Sequence, residues 1–239
     1  ADDALEFRTK LLNIFASNSA TTWIEAKQIE ERFKKVHIEN ITSKPPTMVG
    51  VDLSVRDDFS TVTYNLYSVD SRSFHSYTDY YFPEGALEKH PNCELYKGWV
   101  KDGYLKLCKG DIIDYQQIVD DILKKAKYLC IMGIGYDPYK SAEFVNLLSS
   151  SVGGEADIIN PVKQTYGTFT SPVESFEIAI YSNKISFDPN PITPYCFANA
   201  ILDEDRNCNR KPIKKTHNAK IDSTITNLMT FHLFNNLTS

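Results

Sequence analysis

The amino-acid sequence predicts a mixed α/β fold in which three antiparallel strands are followed by parallel strands, with helices on the flanks. Three strand-like runs, Met48–Ser54, Ser60–Val69 and Ser71–Phe82, follow one another with short connections. After them, a helical pattern leads into a buried apolar strand, and this alternation occurs a second time. Short connections favour antiparallel neighbours, whereas helical crossovers favour parallel ones. The two halves of the chain therefore predict one mixed sheet.

The N-terminal part of the chain, residues 1–46, is polar and has a helical pattern. It ends in TSKPPT, whose two prolines cannot continue a helix, so we expect a helical linker there and a domain from residue 47 to residue 239. The first strand of that domain is rich in β-branched and aliphatic residues. The sequences SVRDD and VDSR are short enough to be the turns of a three-stranded meander.

The second half of the domain begins with an irregular, aromatic segment at residues 83–108, which we expect to cross over the sheet. Apolar residues at spacings of three and four predict a helix over Asp114–Tyr128, with a capping box at its start. The run YLCIMGIGYD predicts a parallel strand that is covered on both faces. A helix in PYKSAEFVNLLSS, a short strand in EADIINPV and further helices complete an order that matches the ribonuclease H-like arrangement.

Composition excludes several classes of protein. A net charge of −5 over 239 residues is wrong for a generic nucleic-acid coat. Five widely spaced cysteines without a Cys-x-x-Cys pair argue against a zinc site or a disulfide framework and favour a reducing compartment. No apolar run approaches the roughly 20 residues of a membrane span, so we expect a soluble chain with no membrane partner. A phosphate-binding loop is missing, because Tyr104 stands where its lysine is required, and we expect no ATPase activity.

Three aspartates stand where a metal site is expected. Asp52 lies in an otherwise apolar strand, and an ionised carboxylate is costly to bury unless a cation or hydrogen-bond donors compensate it. Asp137 ends the parallel strand expected beside it, and open α/β sheets gather ligands at the carboxyl ends of their strands. Asp222 begins the apolar C-terminal helix. Each aspartate also has an ordinary alternative: a strand-end cap, an N-cap before a proline, and an acid favoured by the helix dipole.

Clustered carboxylates repel one another, so three of them at one place call for a cation. Oxygen ligands suit Mg²⁺ or Mn²⁺ rather than zinc. Two such ions, about 3.5–4 Å apart, would activate a water molecule and stabilise the leaving oxygen in phosphodiester cleavage. Asp58 follows Asp52 by six residues and is either a peripheral ligand or a residue that orders the turn.

Four stretches of the chain carry a resemblance to a known family: VGVDLSVRDDFSTVTY, GIGYDPYKSAEFV, FTSPVESFEIAIYSNKISFDPNPITPYCFANAI and NAKIDSTITNLM. In this order and approximate spacing they resemble the nuclease domain of the large terminase subunit of tailed bacteriophages, over roughly residues 5–235. The resemblance implies a ribonuclease H-like fold and a metal-dependent endonuclease that cuts concatemeric phage DNA during packaging. It places the family's acidic triad on Asp52, Asp137 and Asp222.

The resemblance also implies partners: double-stranded DNA, the ATPase motor domain of the same terminase, the portal protein and the small terminase subunit, all in the cytoplasm of a bacterial host. Because no phosphate-binding loop is present, we interpret the chain as the isolated nuclease domain and residues 1–46 as the segment that leaves the motor. Two other hypotheses stay open. One is a catalytically weak module that grips DNA or docks on a packaging motor, and the other is a ribonuclease H-like nuclease of the resolvase or transposase type.

A basic segment precedes Asp222. From Arg206 to Lys220 it contains six basic residues and no acid, and we expect an exposed loop. Contacts of Lys and Arg with phosphates supply most nonspecific affinity for DNA. The residues predicted to contact DNA are Lys211, Lys214, Lys215 and Lys220. A solvated loop without contacts is the alternative, and a second possible track contains Lys97, Trp99, Lys101 and Tyr104, of which the tryptophan is better explained by buried packing.

Overall fold

The computed structural model describes residues 22–56, 58–139 and 141–238. The strands are β1 (Pro46–Asp52), β2 (Ser60–Ser68), β3 (Ser73–Pro83), β4 (Lys106–Cys108), β5 (Cys130–Tyr136), β6 (Ile159–Pro161), β7 (Ile185–Phe187), β8 (Ala200–Glu204) and β9 (Arg210–Lys214). The α-helices are α1 (Ala26–Glu30), α2 (Glu84–Leu87), α3 (Cys93–Lys101), α4 (Tyr115–Ala126), α5 (Ala142–Val152), α6 (Tyr166–Tyr181), α7 (Ile192–Ala198) and α8 (Asp222–Thr238). None of these described helices has both the length and the apolar character of a membrane span.

The main sheet has the strand order β4-β3-β2-β1-β5-β6, and β7 also pairs with β3. Strands β1, β2 and β3 form an antiparallel meander, whereas β5 runs parallel to β1 and β6 parallel to β5. Strands β8 and β9 form a separate antiparallel hairpin. The mixed sheet that the sequence predicts is therefore confirmed, with the first and fifth strands side by side within it.

The two faces of the sheet are covered by different helices. Because successive side chains of a strand point to opposite faces, β1 presents Met48 and Gly50 to α8 and presents Val49 and Val51 to the side of α4 and α5. The predicted helix over Asp114–Tyr128 is confirmed as α4, and the Asp114 carboxylate caps it by accepting two backbone N–H bonds.

Two expectations about local structure were wrong. The segment at residues 83–108 is not irregular, because it contains α2, α3 and β4. Its rings pack on the sheet: Trp99 and Tyr96 are fully buried and stack with 5.2 Å between ring centroids. Strand β5 is not covered on both faces along its length, since Cys130 and Met132, ahead of the part that β6 pairs with, are exposed.

The predicted helical linker, residues 1–46, falls partly outside the described residues, which begin at residue 22. From there to β1, the only α-helix is the five-residue α1. Ile24 and Ile29 are fully buried in the same core as α6 and α8, and the Lys34 N–H donates to the Phe187 carbonyl of β7. This part of the segment thus packs on the domain, while the predicted boundary at residue 46 stays a prediction.

Candidate acidic active site

The parallel pairing of β1 and β5 brings two of the predicted aspartates together. Val51 lies opposite Tyr136 in the register, and the next residues on the two strands are Asp52 and Asp137. Both are at the carboxyl ends of adjacent parallel strands, where side chains of an open sheet converge. Sequence reasoning placed them there from strand order alone, and the register agrees.

The third aspartate is positioned by a ladder of polar contacts between α8 and the sheet. The Thr226 hydroxyl lies 2.7 Å from that of Thr63, and the Asn65 amide donates to the Thr230 hydroxyl at 3.0 Å. The helix backbone approaches so closely that a Cβ on Gly50 would lie 2.2 Å from the Thr226 carbonyl oxygen. Only glycine fits this contact, so the contact fixes the position of α8 along β1.

The same pattern of contacts, continued by one helical turn toward the start of α8, leads to Asp222. Four residues of helix and two residues of strand both advance by about 6 Å, so each turn of α8 matches two residues of the sheet. Thr226 of α8 is level with Thr63 of β2, which lies opposite Gly50. One turn earlier in the helix, Asp222 is therefore level with Thr61, which lies opposite Asp52. The start of α8 is thus carried to the carboxyl end of β1.

The acids also interact electrostatically. Burial, followed by the charges of Asp137 and Asp58, raises the pKa of Asp52 to about 7. Burial, followed by the charges of Asp58 and Asp52, also raises the pKa of Asp222 well above its ordinary value. We call these four residues, Asp52, Asp58, Asp137 and Asp222, the acidic site. One member, Asp58, is the residue for which the sequence allowed two roles, a peripheral ligand or a residue that orders the turn.

Asp58 has contacts that fit both of those roles. Its Oδ1 accepts a hydrogen bond from the Phe59 N–H at 2.9 Å, and its backbone carbonyl accepts one from the Ser54 hydroxyl at 2.6 Å, so it orders the turn between β1 and β2. Its carboxylate also forms ion pairs with Lys220 at 2.8 Å and Lys214 at 3.4 Å. Asp58 therefore joins the acids to two lysines of the basic segment.

Only part of the basic segment is the exposed loop that the sequence predicts. Strand β9 occupies residues 210–214, and Lys220 is only 8% exposed. Of the other lysines predicted to contact DNA, Lys211 lies over the Tyr166 ring at 4.5 Å and Lys215 donates to the Thr22 hydroxyl at 3.4 Å. The error arises because Asn and Lys are common in exposed loops, whereas here the chain turns back as a hairpin toward the acids.

Sequence reasoning did not identify Gln164 as a site residue. Its amide donates to Asp137 Oδ2 at 2.6 Å, while the N–H of Tyr139 donates to Oδ1 of the same carboxylate at 2.9 Å. These two donors fix the orientation of Asp137. Gln164 follows the carboxyl end of β6 by three residues, and that position next to a parallel strand is the only signal that the sequence offers for it.

The chemistry of the acidic site fits divalent cations. The side chain of Asp222 is buried, with the residue 7% exposed, and its Oδ2 has no hydrogen-bond partner in the described part of the chain. A buried carboxylate oxygen without a donor is costly, and a cation compensates it. As the side chains are placed, however, no three Asp, Glu, His or Cys groups among residues 22–56, 58–139 and 141–238 surround a common point closely enough to hold an ion. Asp58 is turned toward lysines and Asp137 toward Gln164.

The sheet order and the acids at its centre define a ribonuclease H-like domain with a carboxylate site. The family model described as "Terminase large subunit, endonuclease domain" matches residues 3–236. The chain therefore belongs to the family of terminase large-subunit endonuclease domains, as its resemblance implied.

Relatives in the same family agree with this assignment. The chain is 25% identical over 237 residues to Protein YmfN of Escherichia coli (strain K12), covering 93% of the chain and 50% of YmfN. It is 21% identical over 178 residues to the large terminase subunit of Enterobacteria phage HK97, covering 74% of the chain and 35% of that protein. The chain thus spans half or less of the length of these curated relatives.

Solved structures support the fold. The crystal structure of the HK97 large terminase matches with a TM-score of 0.77 at 20% identity, covering 89% of this chain and 43% of that one. The large terminase nuclease from thermophilic phage G20c with bound magnesium matches with a TM-score of 0.54 at 6% identity, covering 90% of this chain and 98% of that one. A structure of the same nuclease with bound cobalt has a TM-score of 0.53 at 6% identity, over 90% and 98% of the two chains.

Proposed function

We propose that the chain is a divalent-metal-dependent endonuclease that cuts concatemeric double-stranded phage DNA during genome packaging, using two Mg²⁺ or Mn²⁺ ions. The observation that carries the proposal is the juxtaposition of Asp52, Asp137 and Asp222 in a site where burial and mutual repulsion raise the pKa values of two of them. Such a set is unfavourable in the folded protein unless cations neutralise it. Metal-bound relatives of the same fold support the choice of a divalent ion.

The three aspartates would hold the ions, which supply charge stabilisation and an activated water for phosphodiester hydrolysis. Asp52 is central, because its pKa responds to the charges of both Asp137 and Asp58. Gln164 keeps Asp137 in one orientation through its 2.6 Å hydrogen bond. Asp222 contributes a buried oxygen without a donor, at a helix start held in place by the ladder to β2. The protein's part in catalysis is the fixed placement of these oxygens.

For DNA binding, we propose that basic residues in and directly after strand β9 contact the phosphate backbone. Lys214 has 39% of its side chain exposed and touches Asp58, so it lies at the edge of the acidic site. Together with Lys211 on the same strand and Lys215 directly after it, Lys214 forms a basic edge where a phosphate chain would enter. Replacing the three lysines by alanine should flatten the slope of log affinity against log salt by up to about 0.9 for each lost phosphate contact. An unchanged slope in fluorescence titrations at several salt concentrations would move the DNA path away from this hairpin.

The biological setting comes from the family. Membership of the terminase family supports double-stranded DNA as substrate, an ATPase motor domain as neighbour, the portal protein and small terminase subunit as partners, and action in the host cytoplasm. Because the chain spans only half or less of its curated relatives, these features of the whole terminase are part of the proposal. ATPase activity is not expected from this chain.

The direct test is cleavage of supercoiled plasmid DNA by the purified chain. We expect nicking and linearisation with Mn²⁺ or Mg²⁺, with Mn²⁺ the better of the two because Mg²⁺ requires stricter octahedral geometry. EDTA should stop the reaction, and Asp52→Asn should be inactive with either metal. Cleavage that persists undiminished in EDTA would exclude the metal-dependent reaction. DNA binding without any cleavage would favour the packaging-motor docking module instead.

A further inference from the structure

Lys220 is unusual among the lysines that the structure describes because it is buried at the acidic site. The residue is 8% exposed, and its ammonium lies 2.8 Å from Asp58 Oδ1. Burying an ammonium group costs several kcal/mol unless a partner compensates it, and this ion pair is the compensation. A lysine in such a position is not free to lie along DNA on the protein surface, so another role is required.

The position of Lys220 relative to the acids suggests that role. Lys220 precedes Asp222 by two residues, and its positive charge lowers the pKa of Asp222, opposing the effects of burial, Asp58 and Asp52. On the other side it binds Asp58, whose own charge acts on both Asp52 and Asp222. The Lys220 ammonium thus lies near the carboxylates that a cation would bring together.

We propose that Lys220 is an internal counter-ion of the acidic site, which divalent cations must displace from Asp58 when they bind. This inference rests on the proposed function, since it assumes that the site binds metal. In the metal-free protein, Lys220 holds the Asp58 carboxylate toward itself, with Lys214 on the second oxygen at 3.4 Å. Metal binding has to break the Asp58–Lys220 pair, and the lysine therefore lowers the affinity of the site for metal.

Asp222 Oδ2 is buried without a donor, so Lys220 does not satisfy every carboxylate around it. Lys220 thus neutralises only part of the carboxylate charge, and the rest is available to a metal ion.

The test is Mn²⁺ binding to the DNA-free chain, measured by calorimetry with wild type, Lys220→Met and Lys35→Met. Lys35 is the control, because it pairs at 3.1 Å with Asp188, an aspartate outside the acidic site. We expect Lys220→Met to bind Mn²⁺ at least about fivefold more tightly than wild type, the lower end of typical couplings between sites. Lys35→Met should bind like wild type. Equal affinities for all three proteins would overturn the proposal.

A double-mutant cycle with Asp58→Asn separates displacement from simple charge repulsion. If Lys220 acts by holding Asp58, replacing Lys220 in the Asp58→Asn background should change the Mn²⁺ affinity by less than about twofold, since coupling through a contact disappears with the contact. An equal gain in both backgrounds would mean that Lys220 acts only as a distant charge, and would overturn the proposal. Lys220→Arg, which keeps the ion pair, should retain the wild-type affinity and provides the test if Lys220→Met does not fold. Absence of Mn²⁺ binding by every protein, wild type included, would instead contradict the proposed function.

Discussion

Two groups of aspartates in this molecule, each with one buried member, have opposite surroundings. One group is the acidic site; the second, which we call the ion-pair cluster, consists of Asp79 and Asp121 with Lys106 and Lys125. Asp79 is 4% exposed and Asp222 is 7% exposed, so burial does not distinguish the two groups. The difference lies in what faces the carboxylates: lysines in the cluster, and mostly other carboxylates in the acidic site.

The pKa values of aspartates in the two groups differ in the way that these surroundings predict. Burial on its own raises the pKa of Asp121, but the hydrogen bond and charge of Lys106, with further hydrogen bonds from Lys124 and Tyr81, outweigh it and lower the pKa to about 2. In the acidic site, burial and neighbouring acids act in the same direction and raise the pKa of Asp52 to about 7. A buried carboxylate with its own lysines stabilises the fold, whereas one facing other carboxylates is available to a ligand.

The largest expected effect is on cleavage, when a carboxylate of the acidic site is removed. Asp222→Asn and Asp137→Asn should each lower the cleavage rate by more than about 100-fold, at least the effect of removing one group that stabilises charge in a transition state. Both variants should melt no lower than wild type without metal, because each substitution relieves repulsion between carboxylates. Plasmid cleavage and thermal melts in EDTA check both parts. Wild-type rates in either variant would remove that residue from the site.

The same substitution in the ion-pair cluster should have the opposite result. Asp79→Asn leaves Lys125, whose side chain is 14% exposed and now 2.7 Å from Asp79 Oδ2, without its partner. Breaking a buried ion pair costs about 3–5 kcal/mol, and we expect the lower end because Lys106 is partly exposed. Urea unfolding measures the loss, and the folded variant should still cleave DNA. A loss of cleavage without a loss of stability would contradict the comparison.

How far the sequence predicts this site depends on whether a residue's position follows from strand order. Asp52 and Asp137 were found because a carboxylate at the end of a parallel strand is recognisable in the sequence, and the register brings the two together. Lys220 was misplaced because its burial depends on a partner, Asp58, that lies more than 150 residues away in the chain. The role of Gln164 likewise depends on a single long-range hydrogen bond. Pairings of this kind leave no local pattern.

The same reasoning explains the errors in the fold. The meander and α4 were predicted because strand alternation, turns and caps are local signals. Helix α3 was missed although Tyr96, Trp99 and Val100 have helical spacing, because the segment around them also contains Pro91, Gly98 and Gly103, which favour turns. The hairpin β8–β9 was missed because Lys and Asn are poor strand formers, and Pro212 within β9 argued against a strand.

A smaller effect is expected at Gly50, where α8 contacts β1. Gly50→Ala should force the helix away from the sheet, because the new Cβ would lie 2.2 Å from the Thr226 carbonyl oxygen. Overpacking of this kind costs about 1–3 kcal/mol, and it should also reduce cleavage by moving Asp222. Gly167→Ala in α6 is the control, since its Cβ meets nothing within 4 Å and alanine favours a helix. Urea unfolding and cleavage rates compare the two; equal behaviour would mean that the α8 contact does not fix the site.

The smallest expected effect is a difference in pH dependence between the two groups of aspartates. Asp52 has a folded pKa of about 7, above the unfolded value of 3.8, so the metal-free folded state binds the extra proton between these values. Stability from this group must therefore fall as the pH rises from about 4 to about 7. Asp121 has a folded pKa of about 2, so its contribution is present above pH 3.8 and is lost as the pH falls toward 2.

The measurement is the unfolding free energy in EDTA from pH 4 to pH 8, for wild type and Asp52→Asn. His75 complicates the wild-type curve alone, because burial, followed by the charges of two lysines, lowers its pKa to about 4 and makes stability rise with pH in part of the same range. The difference between wild type and Asp52→Asn cancels this contribution and reports Asp52 together with its effect on Asp222. We expect Asp52→Asn to gain stability over wild type as the pH rises, and saturating Mn²⁺ to remove the decline that Asp52 causes in wild type. A constant difference across the range would mean that Asp52 has an ordinary pKa, and that the acidic site does not hold uncompensated charge.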